Sequence, residues 1–219
     1  MSSPKIAIFE HIAEVARALG SAQRLELLEH VSQGERSVDA LARLSGLSLA
    51  NASHHLKQLR MAGLVQARRS GKNVFYRRGE DTVEGVLSAL RAHAEASSAE
   101  VRSIVADCFT RLDAMEPVPR EVLLERLVQN DVILLDVRPE DEYRLGHIPG
   151  AWNAPLPELE RMMAALPQGK EVVAYCRGPY CILSFEAVAF LRGKGFRALR
   201  LEDGLPEWQA AGFALESAA

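Results

Sequence analysis

The chain has 219 residues, of which 48% are hydrophobic and 25% are charged, and its formal net charge is −3. This composition is typical of a soluble globular protein, and the length allows one or two domains. All apolar stretches are far shorter than the roughly 20 residues of a membrane-spanning helix, and the N-terminus lacks the apolar block of a signal peptide. We therefore exclude a transmembrane protein and expect a cytoplasmic location with no membrane partner.

Positive charge is concentrated in one segment of the first half. Residues 48–78 contain no acidic residue and seven basic ones, namely Lys57, Arg60, Arg68, Arg69, Lys72, Arg77 and Arg78. Such a segment suits a partner that carries phosphate groups, as nucleic acids do. Charge alone leaves open the alternative of a solvated basic face without a partner.

Four amphipathic helices are predicted in the first 63 residues. Apolar residues recur there at helical spacing, and a serine at the start of each of the last three is a candidate N-cap. The predicted helices span residues 5–19, 21–33, 37–46 and 48–63. The third and fourth are joined by a short turn with Gly46, which is the pattern of a helix-turn-helix motif.

A β-hairpin is predicted directly after this motif. Two β-prone runs, residues 64–69 and 73–78, flank the turn Ser70-Gly71-Lys72. A hairpin in this position is a wing. A long helix is then expected from Asp81 to about Met115, and the two prolines that follow it end the helix.

The second half alternates helices with short β-rich runs, which predicts a mostly parallel sheet covered on both faces. The strands are Val132–Val137, Glu171–Tyr175 and Phe196–Leu201, and the helices lie near residues 120–129, 139–145, 156–166, 182–194 and 204–211. We therefore expect two domains, 1–115 and 116–219. The first is an α+β winged helix-turn-helix domain, and the second is a doubly wound α/β domain.

The second helix of the motif has a candidate DNA-reading face. Ala52, Leu56 and Leu59, together with Met61 or Ala62, form its inward stripe. Asn pairs with an adenine edge, and Gln and His suit bases or phosphates, whereas serine hydroxyls and the basic wing suit the backbone. The predicted DNA-binding residues are Ser48, Asn51, Ser53, His54, Lys57, Gln58, Arg68, Arg69 and Lys72.

The segment Leu47–Val65 resembles the recognition segment of ArsR-type repressors, above all in Ser53, His55-Leu56 and Ala62-Gly63-Leu64-Val65. The match extends loosely over residues 5–113. The resemblance implies a homodimer that is joined through the first and last helices of this half. It also implies that the dimer binds a two-fold double-stranded DNA operator in successive major grooves.

One departure from the family concerns metals. Many metal-sensing members carry a cysteine pair at the start of the first helix of the motif, but residues 35–41 contain no cysteine. The last helix has only His93 and Cys108, so a thiolate metal site is not expected in this half. We expect Cys108 to be a small packing residue, and no metal or cofactor is predicted for the chain.

A loop with two cysteines has the sharpest chemistry in the second half. Cys176-Arg177-Gly178-Pro179-Tyr180-Cys181 stands between a predicted strand and a predicted helix. Backbone N–H groups and the helix dipole favour an anion there, so the pKa of Cys176 is expected to be lowered to about 3.5–7.5. Gly178 allows tight curvature, Pro179 stiffens the loop and Arg177 adds positive charge. The three cysteines of the chain are too few for a disulfide scaffold, which favours free or redox-active thiols.

The surroundings of this loop resemble the rhodanese, or sulfurtransferase, family. The resemblance rests on residues 136–143, 146–153 and 201–213, which occur in family order around the loop. It implies that Cys176 accepts a sulfane sulfur as a persulfide. It also implies that Asp136 and Arg138 form an ion pair, and that His147 and Trp208 are structural.

Cys181 is a departure, since active rhodanese loops commonly have Arg or Lys in this position. Three hypotheses follow. The leading one is a repressor whose operator affinity responds to sulfur chemistry at Cys176 and Cys181, through an internal disulfide or polysulfide bridge. The second is a working sulfurtransferase with an accessory DNA-binding domain. The third is an arsenite sensor that uses the thiols.

Overall fold

The computed structural model describes residues 3–110, 117–167 and 169–217. The chain divides into two compact units, Met1–Val83 and Glu84–Ala219. In the described part of the chain, no helix combines the length and the apolar character that crossing a membrane requires.

The first unit has the four predicted helices: α1 (Pro4–Leu19), α2 (Ala22–Ser32), α3 (Val38–Leu44) and α4 (Leu49–Met61). Serine side chains cap α3 and α4 as predicted. Ser37 Oγ accepts a hydrogen bond from the Ala40 N–H at 3.2 Å, and Ser48 Oγ accepts one from the Asn51 N–H at 3.2 Å. Ser21 precedes α2, but its side chain makes no cap hydrogen bond.

The inward stripe of α4 is confirmed at three positions, because Ala52, Leu56 and Leu59 are fully buried. They share the core of this unit with Leu27 and Leu41. The alternative of Met61 as a fourth inward residue is wrong, since its side chain is 78% exposed. The helix ends at Met61, and the stripe ends with it.

The wing is a hairpin of β2 (Val65–Ser70) and β3 (Asn73–Arg78), which pair in antiparallel register with Ser70 opposite Asn73. Gly71 adopts φ +59° in the turn, a conformation that favours glycine. A two-residue strand that the sequence did not predict, β1 (Arg36–Ser37), pairs with β3 on its other side. The wing therefore supplies the central strand, β3, and one edge strand, β2, of a three-stranded sheet.

The predicted long helix is divided in the structure. α5 (Thr82–Ser97) is followed by α6 (Ala99–Val105) and by one π-helical turn over residues 106–110. The division occurs at Ser98, whose extended backbone starts a new helix and whose side chain accepts a hydrogen bond from the Val101 N–H at 3.2 Å. The predicted end of the helix near Met115 lies outside the described residues.

The sheet of the second unit has the order β5-β4-β6-β7, and all its strand pairs are parallel. Its strands are β4 (Val132–Asp136), β5 (Trp152–Asn153), β6 (Glu171–Tyr175) and β7 (Ala198–Arg200). The three predicted strands are confirmed as β4, β6 and β7. The sequence missed β5 because two residues show no strand periodicity.

The remaining helices of the second unit are α7 (Arg120–Val128), α8 (Glu140–Leu145), α9 (Leu159–Met162, with a 3₁₀ turn on each side), α10 (Ile182–Gly193) and α11 (Leu205–Ala210). Alternate residues of the strands supply two hydrophobic cores. Ile133 packs in one core with Val188 of α10, and Leu134 packs in the other with Leu123 of α7. Helices thus cover both faces of the sheet, which confirms the doubly wound fold.

Candidate DNA-binding surface and cysteine loop

The outward side of α4 carries most of the predicted DNA-reading residues. Asn51, Ser53, His54 and Lys57 are exposed. Their exposure follows from helical periodicity, since the buried stripe of α4 occupies the opposite side of the helix. This side is free to meet a groove edge or a phosphate.

Gln58 has a different environment from these four residues. Its side chain is half-buried, its Oε1 accepts a hydrogen bond from Arg24 Nη1 at 2.6 Å, and its Nε2 lies 3.0 Å from His54 Nε2. Arg24 also donates to the Arg17 carbonyl at 2.8 Å, near the end of α1. Gln58 thus connects α4 to α1 and α2 and helps to orient His54, a contact that the sequence did not reveal.

The three predicted wing residues are all exposed. Arg68 forms an ion pair with Glu35, with 2.5 Å between Nη2 and Oε2. Arg69 Nε lies 3.4 Å from the Gly71 carbonyl. Within the described part of the chain, Lys72 at the tip has no side-chain partner, so it is the cation of the wing most available to DNA.

The cysteine loop, residues 176–181, joins β6 to α10, and Cys181 is the N-cap residue of α10. Both thiols are free and buried, with 2% of Cys176 and 8% of Cys181 exposed. The parallel sheet therefore places both thiols at the carboxyl end of a central strand, where open α/β sheets bind ligands.

Cys176 is the more deeply buried of the two thiols. Its Sγ lies 3.3 Å from Ser184 Oγ and 3.4 Å from the Cys181 carbonyl oxygen. Burial raises the pKa of the Cys176 thiol well above its usual value, and the neighbouring Cys181 raises it further. Cys176 is therefore the protonated partner, which is the opposite of what the sequence predicted for it.

Cys181 has the lowered pKa of the pair. A hydrogen bond from Cys176 lowers the pKa of Cys181 to about 7, and the backbone N–H groups of Arg177 and Leu183 contribute in the same direction. Burial opposes this effect but does not cancel it. The N–H groups that were expected to favour a thiolate at Cys176 thus favour one at Cys181, and Cys181 is the thiol of the pair that ionises first as the pH rises.

Arg177 does not present its charge to a ligand. Its guanidinium donates three hydrogen bonds to the carboxylate of Glu142 in α8, with distances of 2.7–3.1 Å. Glu142 is only 1% exposed, so the pair is largely desolvated. The positive charge that the sequence predicted for the loop is neutralised, and the loop offers little attraction to an anionic ligand.

The remaining loop residues are held by α11 and α5. Gly178 lies against Gly204. A Cβ added to Gly204 would be only 2.4 Å from the Gly178 nitrogen. The Leu205 N–H donates to the Cys176 carbonyl at 3.2 Å. Pro179 is half-buried, and the Tyr180 hydroxyl donates to Glu95 of α5. The backbone of the loop is therefore fixed from two sides.

The predicted ion pair is present, and the two residues expected to be structural, His147 and Trp208, are buried. Asp136 and Arg138 are fully buried and form an ion pair at 2.5 Å, and the Tyr175 hydroxyl donates to Asp136 Oδ2 at 2.7 Å. His147 stacks on a tyrosine ring, and the Trp208 indole N–H donates to a backbone carbonyl at 3.2 Å. These contacts join the strand ends to the loops around them.

Cys108 differs from its prediction. It is exposed on the π-helical turn and does not pack in a core. All residues of α6, the helix directly before this turn, are likewise half-buried or exposed. Cys108 is thus a third thiol, remote in sequence from the loop.

Sequence reasoning missed the residues that control the loop. Ser184, Glu142 and Glu95 come from three helices, and no short motif connects them with the cysteines. Glu207 had a local signal, because it stands three residues after Gly204 in a capping box, and its Oε2 accepts a hydrogen bond from the Gly204 N–H at 3.1 Å.

The two folds define the class of this protein: a winged helix-turn-helix regulator that is followed along the chain by a rhodanese-like α/β fold. Residues 21–67 match the family model of the bacterial regulatory proteins of the arsR family. Residues 120–211 match the model of the rhodanese-like domain.

Individual relatives match either the whole chain or less than half of it. The chain is 38% identical over 218 residues to the HTH-type transcriptional regulator Rv0324 of Mycobacterium tuberculosis, a match that covers 100% of this chain and 96% of that protein. It is 34% identical to a sulfurtransferase of Allochromatium vinosum, over 43% of this chain and 89% of that one. It is also 34% identical to a probable mercury resistance operon repressor of Streptomyces lividans, over 46% and 76% of the two chains. The chain belongs to the family of ArsR-type helix-turn-helix transcriptional regulators with a C-terminal rhodanese-like domain.

Proposed function

We propose that the protein is a DNA-binding repressor whose operator affinity changes when Cys176 and Cys181 react with sulfane sulfur. The observation that carries the sensing part is the asymmetry of two adjacent buried thiols: the pKa of Cys181 is lowered to about 7, whereas burial raises the pKa of Cys176, whose Sγ lies 3.4 Å from the Cys181 carbonyl oxygen. Packing alone does not require two adjacent thiols of different pKa. In a sensor, Cys181 can act as the nucleophile and Cys176 as the thiol that resolves the persulfide.

DNA binding is proposed for α4 and the wing. Asn51, His54 and Lys57 lie on one exposed side of α4, and Lys72 extends from the wing tip. Asn51 is proposed to read a base edge, whereas Lys72 contacts the backbone. Asn51→Ala should weaken operator binding and leave its salt dependence intact, whereas Lys72→Gln should reduce the salt slope by about one phosphate contact.

A homodimer is part of the proposal. α1 exposes a row of large apolar residues, since Ile8 is 59%, Phe9 53% and Ile12 58% exposed. A contiguous apolar face of this kind on a single chain is typical of a protein interface. The substitutions Ile8→Asp and Ile12→Asp should therefore each yield monomers in sedimentation experiments and abolish binding to a two-fold operator.

The chemistry proposed for the loop is thiol–polysulfide exchange. The Cys181 thiolate attacks a sulfur atom of an inorganic polysulfide, forms a persulfide and releases a shorter polysulfide or hydrosulfide. Cys176 then gives up its proton and attacks Cys181 Sγ, which forms a Cys176–Cys181 disulfide and releases hydrosulfide. The two thiols are oxidised and the sulfane sulfur is reduced, so the electrons balance.

The test is operator affinity before and after exposure to sodium tetrasulfide, with the intact mass recorded in parallel. We expect a change of about 5- to 150-fold, the usual range of allosteric coupling. Cys176→Ser and Cys181→Ser should abolish the response, whereas Cys108→Ser, the matched control at the exposed thiol, should keep it. Unchanged affinity of the fully modified wild-type protein would rule out the sensing proposal.

A working sulfurtransferase is the second candidate, because residues 120–211 match the rhodanese-like domain and the chain is 34% identical over 97 residues to a sulfurtransferase. The neutralised Arg177 and the cysteine in place of a loop cation argue against rapid turnover of an anionic donor. Steady turnover of thiosulfate with cyanide, lost in the Cys176→Ser variant, would favour this candidate. Stoichiometric arsenite binding that releases DNA, without any persulfide, would instead favour the arsenite sensor.

A further inference from the structure

A chain of charged contacts connects the cysteine loop with α5, inside the second unit. Glu84, Arg91 and Glu95 lie on α5, and they are joined to two residues of the rhodanese-like fold, Glu207 and Tyr180. None of these residues takes part in the proposed thiol chemistry. Their arrangement therefore needs another explanation.

The first connection is shared by two carboxylates and one guanidinium. Arg91 Nη2 lies 2.7 Å from Glu84 Oε1 and 2.6 Å from Glu207 Oε1. Only 4% of the Glu84 side chain and 12% of the Glu207 side chain are exposed. Removing Arg91 would leave two buried carboxylates side by side without a cation, so its guanidinium holds both glutamates in place.

Glu207 connects this group to the loop backbone. Its second oxygen accepts the Gly204 N–H, and a Cβ on Gly178 would lie 3.7 Å from Glu207 Oε1. Gly204 has no room for a Cβ beside Gly178, so the two backbone segments are in direct contact. A displacement at Gly178 is therefore passed to Gly204 and from there to Glu207.

The second connection is the hydrogen bond from the Tyr180 hydroxyl to Glu95. Tyr180 directly precedes Cys181, so any movement of Cys181 also moves Tyr180. Arg91 and Glu95 are four residues apart and lie on the same side of α5. The loop is thus connected to one face of α5 in two ways, directly through Tyr180 and indirectly through Glu207.

We propose that Arg91 and Glu95 are coupling residues, through which a bond between Cys176 and Cys181 changes the stability of α5. This inference rests on the proposed function, since it names the route by which loop chemistry leaves the loop. A disulfide requires its two sulfur atoms about 2.05 Å apart. In this proposal, forming the bond draws Cys176 Sγ away from Ser184 Oγ and shifts the loop backbone against Gly204. Only three residues separate β3 from α5, so a change in α5 reaches the DNA-binding unit along the chain.

The test is hydrogen–deuterium exchange of the full chain, in the reduced form and after oxidation. Sodium tetrasulfide is one oxidant and diamide is the other. Diamide takes two electrons and two protons from the thiol pair, becomes a hydrazine and forms the disulfide without any sulfur donor. Intact mass confirms the state of the loop in each sample.

Oxidation of the wild-type protein should change the exchange rate of peptides within residues 84–97 by about fivefold or more, the lower end of allosteric coupling. Arg91→Met and Glu95→Gln should each reduce this change while the loop oxidises normally. His93→Gln, an exposed residue of the same helix, is the matched control and should respond like the wild-type protein.

The outcomes separate the two proposals. Unchanged exchange of α5 in an oxidised wild-type protein would overturn the coupling, and so would a full response of both coupling variants. Exchange that responds to diamide while tetrasulfide leaves the loop unmodified would support the coupling and contradict the sulfur-sensing function. A loop that neither reagent can oxidise would overturn both.

Discussion

Two thiols of one loop differ in protonation because they differ in their neighbours. Cys176 is surrounded by Ser184 and the carbonyl of Cys181, whereas Cys181 receives hydrogen bonds from Cys176 and from two backbone N–H groups. A thiolate is stabilised by donors and destabilised by burial. Cys176 is the more deeply buried thiol and Cys181 has the stronger donors, so both effects favour ionisation of Cys181.

The rate of alkylation tests this assignment. In a Cys108→Ser background, the reaction of Cys181 with iodoacetamide should rise with pH around a midpoint of about 7. Cys176→Ala removes the largest cause of the lowered pKa, so the midpoint should move upward. A midpoint that stays near 7 in the Cys176→Ala variant would mean that the backbone donors alone determine it.

Glu207 allows a second prediction, on stability. Burial and the charge of Glu84 raise the pKa of Glu207 from 4.5 to about 7. The folded state thus holds a proton that the unfolded state releases above pH 4.5, so this contribution to stability is complete below pH 4.5 and is lost as the pH rises through 7. Its size is on the order of 3 kcal/mol, because one pH unit of pKa difference corresponds to about 1.36 kcal/mol.

Urea unfolding of the wild-type protein and of Glu207→Gln between pH 4 and pH 8 measures this contribution. The difference in unfolding free energy between the two proteins should change in this window and stay constant outside it. Glu186→Gln, at an exposed position of α10, is the control and should follow the wild-type protein at every pH. A constant difference for Glu207→Gln would show that its carboxyl titrates alike in both states.

Helix caps can be compared at the scale of elements. Ser37 caps α3 through its hydroxyl, whereas the Ser21 hydroxyl bonds to Gln23 Oε1 and leaves the first turn of α2 without a side-chain cap. Ser37→Ala should therefore lower the unfolding free energy of the first unit by about 1 kcal/mol. Ser21→Ala should lower it by a few tenths of that value, measured by the same urea titration. Equal losses would contradict the difference in capping.

The elements also show what could be predicted from the sequence. α4, the wing and the three longer strands follow from local periodicity, and they were predicted within a few residues. β1 and β5 have two residues each, too few for a periodic pattern, and they exist because a neighbouring strand offers hydrogen bonds. α5 ends directly before Ser98, which caps the start of α6. The sequence around Ser98 is rich in alanine, which favours a continuous helix, so this end was not predicted.

The candidate site was predictable to the same extent. Its position after β6 and the identity of its thiols were readable, because a strand, a loop and a helix follow one another in the chain. The protonation of the thiols was not, since it depends on burial, on the contact between Cys176 and Cys181 and on Ser184, all of which arise only in the folded chain. Arg177 illustrates the point: its charge is visible in the sequence, but its neutralisation is not.

At the scale of the whole molecule, the proposed function couples DNA binding by the first unit to the redox state of two thiols in the second. A coupling of this kind acts in both directions: if oxidation of the loop changes the affinity for DNA, then DNA changes the reduction potential of the loop by the same free energy. A repressor that releases its operator on oxidation binds DNA better in the dithiol form. Operator DNA must then stabilise the dithiol and raise the midpoint potential.

The most direct measurement is a redox titration of Cys176 and Cys181 in the Cys108→Ser protein, with and without saturating operator DNA. A coupling of 1–3 kcal/mol corresponds to a rise of about 20–65 mV for this two-electron couple. DNA of unrelated sequence, at a salt concentration at which it does not bind, is the control and should leave the potential unchanged. Equal midpoints with and without bound operator would contradict the claim that the loop regulates DNA binding.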